Sequence, residues 1–380
     1  MSNWQDWVAP WVRAIERRYD ALKYRVYYAL GGPGPITIQP YRGYGTRDRV
    51  HVFGRVLEER GVQPPSETDR WWTNLLNMVK RLQSREVPHA RVKVRLAGVE
   101  REVTADEEGM LELWLEPRGL PSDGRSWQDV EFELVEPVSG RQPGPVEARG
   151  EILIPSPEAR FGVISDLDDT VIQSDVGNLV QMARTVLFSN ARTRMPLPGA
   201  AAFYRALRAG ADGRGANPLF YVSNGLWNLY DLLEDFFALN DMPDGPVMLL
   251  RNWGVYEDEV LPTRQRGYKL GVIRPILDLY EELPFILIGD SSEADPEIYH
   301  ELVHGYGERI LAVYIRNVGR DLDRPAVIQK LADEIVDAGS ELVLAEDSWS
   351  MARHAARHGW IDERMVSDIR AEQLREESRE

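Results

Sequence analysis

The chain has 380 residues and a formal net charge of −16, from 61 acidic and 45 basic side chains. This length suffices for two or three domains with buried cores, and an apolar content of 43% is typical of globular proteins. The acidic balance disfavours a nucleic-acid partner. The absence of cysteine excludes disulfides, thiolate catalysis and cysteine-ligated zinc, and the six histidines show no spacing typical of a zinc site.

The N-terminal residues 1–35 are predicted to form an amphipathic helix and a linker. Apolar side chains recur every three or four positions over residues 4–30, among them Trp4, Trp7 and Trp11. We expect this aromatic stripe to pack on the protein itself, and the alternative is peripheral contact with a membrane surface. Neither a signal peptide nor a membrane-spanning segment is expected, which favours a cytoplasmic location.

Residues 36–157 are predicted to form a small β-sandwich-like domain, because apolar and polar residues alternate along short segments. The predicted antiparallel strands lie at residues 36–41, 50–56, 92–96, 111–115, 130–134 and 152–154. One helical insertion is expected around residues 71–82. The arginine-rich stretch 41–49 is interpreted as a hairpin connection, with a patch that binds phosphate or lipid head groups as the alternative.

Residues 158–365 change to a pattern in which apolar strands alternate with amphipathic helices. The predicted strands lie at residues 161–165, 219–223, 247–250, 285–289, 310–315 and 342–344. The predicted helices lie at residues 200–209, 227–239, 270–280, 296–304, 326–338 and 350–358. This alternation is typical of an α/β fold with a parallel sheet and helices on both faces. Residues 366–380 are predicted to be a charged tail that frays.

Polar side chains follow several of these strands where each strand ends. Asp166, Asp168 and Asp169 follow the first strand, and Ser223 follows the second. Lys269 stands near the start of a predicted helix. The fourth strand ends in a further acidic segment that contains Asp290 and Asp295. Because the carboxyl ends of parallel strands meet at one edge of a sheet, we expect these groups to converge.

Such a set of groups fits phosphoryl transfer through a covalent intermediate. Asp166 is the predicted nucleophile, since a carboxylate can attack phosphorus and form an aspartyl phosphate. Mg²⁺ prefers oxygen ligands, and Asp166 and Asp290 are its predicted carboxylate ligands. Lys269 supplies a fixed positive charge. Ser223 and the amides of Asn224 and Gly225 are predicted to bind the phosphate oxygens.

The remaining aspartates of the first cluster are given different roles. Asp168 lies past the strand end, where its side chain can face the leaving group. A protonated Asp168 is predicted to donate a proton to that group and then accept one from the hydrolytic water. Asp169 is given no catalytic role. A calcium loop is rejected because Val171 stands where such a loop needs glycine, and no Gly-rich Lys-Ser/Thr phosphate loop occurs.

The segments 166–170, 223, 269 and 289–295 resemble the four motifs of the haloacid dehalogenase (HAD) superfamily of phosphatases. More narrowly, the segments 164–171, 221–227, 249–254, 288–299 and 313–316 resemble the catalytic domain of the actin-patch-associated phosphatidate phosphatase family. This resemblance implies a HAD-like Rossmannoid domain and Mg²⁺-dependent release of phosphate from phosphatidate or related lipid phosphates.

The resemblance also implies roles for individual residues. It gives the backbone carbonyl of Asp168 as a metal ligand and Asp295 as support for the metal site. Thr170 joins the predicted substrate-binding residues, and Arg264 and Arg266 are further candidates for holding the phosphate. Two alternatives stay open. The first is a phosphatase for soluble phosphomonoesters or phosphoproteins. The second is a catalytically vestigial protein that binds a partner through its β-rich half.

Overall fold

The computed structural model divides into two compact units, Met1–Ile154 and Pro155–Glu380. It describes residues 35–58, 86–121, 124–137, 144–167, 170–171, 196–213, 217–250, 261–318 and 323–378. The predicted N-terminal helix with its three tryptophans lies outside these residues. The predicted helical insertion at 71–82 lies outside them as well.

The first unit contains a seven-stranded sheet. Its strands are β1 (Ile36–Gly45), β2 (Val50–Glu58), β3 (Arg91–Leu96), β4 (Val99–Thr104), β5 (Met110–Leu115), β6 (Trp127–Glu136) and β7 (Glu147–Leu153). They follow the order β4-β3-β6-β7-β1-β2-β5 in one hydrogen-bonded sheet. The expectation of antiparallel strands is confirmed for five of the six described strand pairs, and the single parallel pair, β1 with β7, makes the sheet mixed. The first and last strands pair in parallel, which a long intervening chain permits and a hairpin does not.

The predicted alternation of apolar residues accounts for the core of this unit. Every second residue of β3 is buried, namely Val92, Val94 and Leu96, while the residues between them are half-buried. Successive side chains of a strand point to opposite faces, so this alternation along β3 directs one set of side chains inward. Further members of this core are Ile36, Ile38, Val50, Val52, Val56, Leu111, Leu115, Val130, Phe132 and Ile152.

Residues 41–45 continue strand β1, so the expected hairpin connection is shorter than predicted. Tyr41 and Tyr44 are buried, and the pairing with β2 shifts register between them. A Cβ atom on Gly43 would lie 2.3 Å from the carbonyl oxygen of His51. Only glycine lets the two strands approach so closely here.

Strand β4 was absent from the sequence-based prediction. It forms a hairpin with β3 through Ala97 and Gly98, which both adopt positive φ angles of 45° and 76°. Such angles are typical of the tight turns that join antiparallel strands. The strand lies at the sheet edge and is mostly polar and exposed, so it carries no apolar alternation to reveal it.

The second unit contains a six-stranded parallel sheet. Its strands are β8 (Gly162–Asp166), β9 (Leu219–Leu226), β10 (Val247–Leu250), β11 (Phe285–Asp290), β12 (Ile310–Arg316) and β13 (Leu342–Ala345). They follow the order β10-β9-β8-β11-β12-β13, and all neighbouring pairs run parallel. This confirms the predicted α/β class with a parallel sheet, and the central strands β8 and β11 are buried throughout.

Seven α-helices are described in this unit. They are α1 (Ala200–Ala209), α2 (Tyr230–Leu239), α3 (Leu261–Leu279), α4 (Asp295–Tyr306), α5 (Arg324–Asp337), α6 (Ser348–Arg357) and α7 (Met365–Glu377). Helix α3 begins well before the predicted residue 270, so Lys269 lies within the helix and not at its start. None of the described helices is long and apolar enough to cross a membrane.

The strand order places a topological switch point between β8 and β11. From β8 the chain proceeds to β9 and β10 on one side, and it returns through α3 to β11 on the other side. The carboxyl ends of β8 and β11 are therefore adjacent, and the connections that follow these two strands lead to opposite sides of the sheet. In open parallel sheets this is the place where ligands bind.

The charged C-terminal segment does not fray as expected. It forms α7, which packs against α1 and α6 and buries Ile369 and Gln373. The Glu376 carboxylate accepts a hydrogen bond of 2.7 Å from the Gly199 backbone N–H at the start of α1. These long-range contacts anchor a segment whose composition by itself indicates a solvated tail.

Helix α7 allows a matched test of this packing. Ile369 has 1% of its surface exposed, whereas Leu374 on the same helix is 49% exposed. Ile369→Ala should destabilise the second unit by about 2–5 kcal/mol, because it leaves a cavity. Leu374→Ala should change stability by less than about 0.5 kcal/mol. Urea unfolding measures both, and equal effects would show that α7 does not pack as described.

Candidate active site

The candidate site begins with Asp166, the last residue of β8. Its side chain is fully buried, as is that of Asp290 at the end of the neighbouring strand β11. The parallel register of these strands brings the two carboxylates to the same edge of the sheet. The structure thus brings together two of the predicted metal ligands at the switch point.

Lys269 on α3 connects the buried carboxylates. Its Nζ lies 2.8 Å from Asp166 Oδ1, 2.5 Å from Asp295 Oδ1 and 3.0 Å from Glu293 Oε2. The ammonium group is itself buried, so each contact acts with little screening by water. The predicted position of Lys269 beside Asp166 agrees with this geometry.

The charge state of Lys269 follows from two opposing effects. Burial acts to lower its pKa, but the negative charges of Asp166, Asp295 and Glu293 outweigh burial and hold the pKa well above the usual value. Lys269 therefore stays protonated and provides a permanent positive charge to the site.

Hydrogen bonds satisfy only one of the two carboxylate oxygens of Asp290. Its Oδ1 accepts bonds from Ser292 N at 2.5 Å, Ser292 Oγ at 2.5 Å and Glu293 N at 3.2 Å. Its Oδ2 is buried and has no hydrogen-bond partner among the described residues. Burial, together with the charge of Asp295, raises the pKa of Asp290 to about 7. This oxygen is therefore poised for a cation or a proton.

Asp295, the first residue of α4, has both oxygens in contact with protein groups. Oδ1 contacts Lys269, and Oδ2 lies 3.4 Å from the Asp290 backbone N–H. A Cβ atom on Gly289 would lie 2.4 Å from Asp295 Oδ2, so glycine at this position leaves the space that Asp295 fills. Asp295 is thus placed to support the site.

The predicted phosphate-binding residues lie in the last part of β9, close to these charges. Ser223 is buried, and its Oγ accepts a 2.9 Å hydrogen bond from the Gly225 N–H. Asn224 Nδ2 donates to Glu293 Oε2 at 2.9 Å, the same oxygen that contacts Lys269. Glu293 therefore links β9 to α3. Sequence reasoning placed Glu293 inside a motif but assigned it no role, because its two partners are distant in sequence.

Further buried polar residues orient the end of β8. Thr170 Oγ1 lies 3.4 Å from Asp166 Oδ2, so Thr170 contacts the predicted nucleophile. Ser165 Oγ donates to the Asp166 backbone carbonyl at 2.7 Å and lies 2.5 Å from Tyr204 Oη. The sequence analysis did not identify Ser165 and Tyr204 as site residues, since their spacing does not show that α1 contacts β8.

Three predicted site residues, Asp168, Arg264 and Arg266, are not placed in the described cluster. Asp168, Asp169 and the side chain of Arg264 lie outside the described part of the structure. The Arg266 guanidinium is exposed and pairs with Glu301 on α4 at 2.5 Å. Arg274 also contacts Glu301, so this pair belongs to the outer face of two helices.

The donor atoms fit a hard divalent cation. Ligand atoms of Asp166, Asp290 and Asp295 all lie within 4.8 Å of one another. Three carboxylates, those of Asp166, Asp295 and Glu293, contact the ammonium group of Lys269, and the Asp290 carboxylate lies beside them. A bound cation would compensate the excess negative charge and occupy the unpaired Asp290 Oδ2. Oxygen donors of this kind suit Mg²⁺ better than a soft transition metal.

Comparison with known proteins identifies a related family. Residues 161–317 match the family described as phosphatidate phosphatase APP1, catalytic domain. This segment runs from the start of β8 to the end of β12, and it contains Asp166, Ser223, Lys269 and Asp290.

Two curated relatives cover part of the chain. Phosphatidate phosphatase APP1 of Saccharomyces cerevisiae is 29% identical over 234 residues, which are 61% of this chain and 37% of that protein. An uncharacterized protein of Schizosaccharomyces pombe is 32% identical over 165 residues, which are 42% of this chain and 26% of that protein. The chain thus spans well under half the length of either relative.

The likeness to solved structures is weak. A carbohydrate acetylesterase from Xanthomonas citri covers 83% of this chain and 73% of its own, at 13% identity and a TM-score of 0.29. A score this low supports no inference on fold or function.

The space at Gly289 provides a test of the site's packing. Gly289→Ala should displace Asp295 and destabilise the second unit by about 1–3 kcal/mol, the usual effect of overpacking. Gly271→Ala on α3 is the control, because a Cβ there meets nothing within 4 Å. It should be neutral or stabilising by up to about 1 kcal/mol. Thermal unfolding compares the two, and a harmless Gly289→Ala would contradict the described contact.

The raised pKa of Asp290 predicts a pH dependence in the absence of divalent cations. The folded pKa is about 7, and the unfolded value is about 4. The folded state therefore binds more protons between these values, so stability should rise as pH falls from about 7 to about 4. The slope reaches at most about 1.4 kcal/mol per pH unit. Unfolding with EDTA across this range should show a smaller slope for Asp290→Asn, and identical slopes would refute the assignment.

Proposed function

We propose that this chain is a Mg²⁺-dependent phosphatase of the HAD superfamily that hydrolyses phosphatidate, or a related lipid phosphate, to diacylglycerol and phosphate. The family match and the yeast relative support the phosphatase assignment. The observation that carries the chemistry is the buried Asp166 carboxylate, held 2.8 Å from a permanently charged Lys269 and beside Asp290.

In the proposed reaction Asp166 acts as the nucleophile. A carboxylate oxygen of Asp166 forms a bond to phosphorus while the ester P–O bond breaks, and an aspartyl phosphate results. Asp168 donates a proton to the leaving alkoxide. Water then attacks the phosphoryl group, Asp168 accepts the water proton, and phosphate leaves with regeneration of the Asp166 carboxylate.

The remaining residues neutralise and orient the phosphoryl group. Lys269 offsets the repulsion between the attacking carboxylate and the phosphate. Ser223 and Asn224 lie on the adjoining strand end and are proposed to donate hydrogen bonds to phosphate oxygens. Asp166, Asp290 and the Asp168 carbonyl would hold Mg²⁺, with Asp295 in support. The bound ion supplies further charge neutralisation at the phosphate.

The choice of a lipid substrate rests on the relative and not on the described site. The yeast relative is a phosphatidate phosphatase by name. Peripheral membrane contact through Trp4, Trp7 and Trp11, the alternative to packing of this stripe on the protein itself, would bring the protein to such a substrate. A soluble phosphomonoester or phosphoprotein is the competing proposal, and a vestigial site is the third.

The deciding experiment measures phosphate release. Phosphatidate in mixed micelles should be hydrolysed faster than sugar or nucleotide phosphates, and EDTA should abolish turnover. Asp166→Asn should lower kcat by at least about a thousandfold, since the variant lacks the nucleophile. Asp169→Asn is the matched control and should be much milder.

The possible outcomes separate the three proposals. Preference for soluble esters would replace the lipid substrate while keeping the mechanism. Full activity of Asp166→Asn would overturn the mechanism. No phosphate release from any substrate would favour the vestigial binding protein.

A further inference from the structure

A second group of metal-binding side chains lies in the same unit, apart from the carboxylates described above. It consists of Glu341, His354 and His358, which we name the α6 histidine cluster. One ligand atom from each residue lies within 4.8 Å of the others. The sequence analysis did not single out His354 and His358, but residues four apart on a helix share one face, so both can reach one metal ion.

The ligand atoms of this cluster converge on one point. His354 Nε2 lies 2.7 Å from Glu341 Oε2, and His358 Nε2 lies 3.5 Å from the same oxygen. In a tetrahedral zinc site with bonds of about 2.0–2.2 Å, neighbouring ligand atoms are about 3.4 Å apart. The ion therefore needs only a small opening of the His354–Glu341 contact.

Surrounding groups hold both imidazole rings in orientation. Tyr314 Oη lies 2.9 Å from His354 Nδ1, the ring nitrogen opposite the cluster. His358 stacks on Trp360 with ring centroids 4.7 Å apart. Such contacts behind the ligands are what fixes the tautomer and direction of metal-binding histidines.

The backbone of the cluster is also anchored. The Glu341 carbonyl accepts a 2.7 Å hydrogen bond from Val313 N, beside strands β12 and β13. Two backbone hydrogen bonds of 2.9 Å cap the end of α6, one from Gly359 N–H to Ala356 O and one from Trp360 N–H to Ala355 O. All ligands therefore project from well-defined elements.

We propose that the α6 histidine cluster binds one divalent transition-metal ion of the Zn²⁺ class, through Glu341, His354 and His358. His358 is exposed, so solvent can take the fourth position. The ion would tie the end of α6 to the start of β13. Two imidazole donors favour Zn²⁺ over Mg²⁺, so this site is chemically distinct from the carboxylate cluster.

The test uses the full chain, stripped of metal with EDTA and titrated with Zn²⁺ alone. Calorimetry gives the number of ions bound, and thermal unfolding gives the accompanying rise in Tm. His358→Ala should bind one Zn²⁺ fewer than the unmodified chain. Because His358 is exposed, this variant should keep its fold, which far-UV circular dichroism checks. Glu341→Gln should weaken the same site while preserving side-chain size.

Two further variants distinguish a built site from general histidine binding. Tyr314→Phe should weaken Zn²⁺ binding about tenfold or more, as expected when the hydrogen bond behind a ligand is lost. His304→Ala alters the histidine pair of α4, which with Glu334 forms a separate group of potential ligands, and should leave the α6 site intact. Absence of Zn²⁺ binding to the unmodified chain, or equal stoichiometry in His358→Ala, would overturn the proposal.

Discussion

The ammonium group of Lys269 is the interaction on which the candidate site depends. Asp166, Asp290 and Asp295 are buried at one edge of the parallel sheet, where ionised carboxylates lose hydration and repel one another. Lys269 contacts two of them and also Glu293, so its one positive charge is shared among three carboxylates. Burial, together with the charge of Asp295, raises the pKa of the Asp290 carboxyl. A site built in this way is ready for a divalent cation and a phosphate ester, the two partners of the proposed reaction.

Tertiary packing brings Lys269 and the buried carboxylates close together. Helix α3 crosses the sheet between β10 and β11 and carries Lys269 to the switch point. Gly289 leaves the space that Asp295 occupies, and Ser165 with Tyr204 braces the end of β8. Backbone space and buried hydroxyl groups thus contribute to the arrangement beside the charged residues. Their effect is to preorganise Asp166, the proposed nucleophile, which reduces the reorganisation that the proposed reaction requires.

The carboxylate cluster and the α6 histidine cluster differ in the chemistry of their donors. The carboxylate cluster offers buried oxygen atoms beside a lysine, whereas the α6 histidine cluster offers two imidazole nitrogens and one carboxylate near the surface. Hard cations prefer the former set and borderline metals such as Zn²⁺ the latter. One compact unit can therefore separate two kinds of metal ion by ligand type alone. In the proposed arrangement the first ion takes part in the reaction, and the second joins a helix end to the sheet.

The sequence by itself determined the α/β class of the second unit and which residues end its strands. Apolar runs and helical periods report burial locally, so the strands ending in Asp166 and Asp290 could be placed without a structure. It did not reveal the polar edge strand β4, the single mixed sheet, the docking of α7 or the link from Glu293 to Asn224 and Lys269. Only the tertiary structure decided these, because each depends on contacts between residues far apart in the chain, and such contacts leave no periodic trace in composition or spacing.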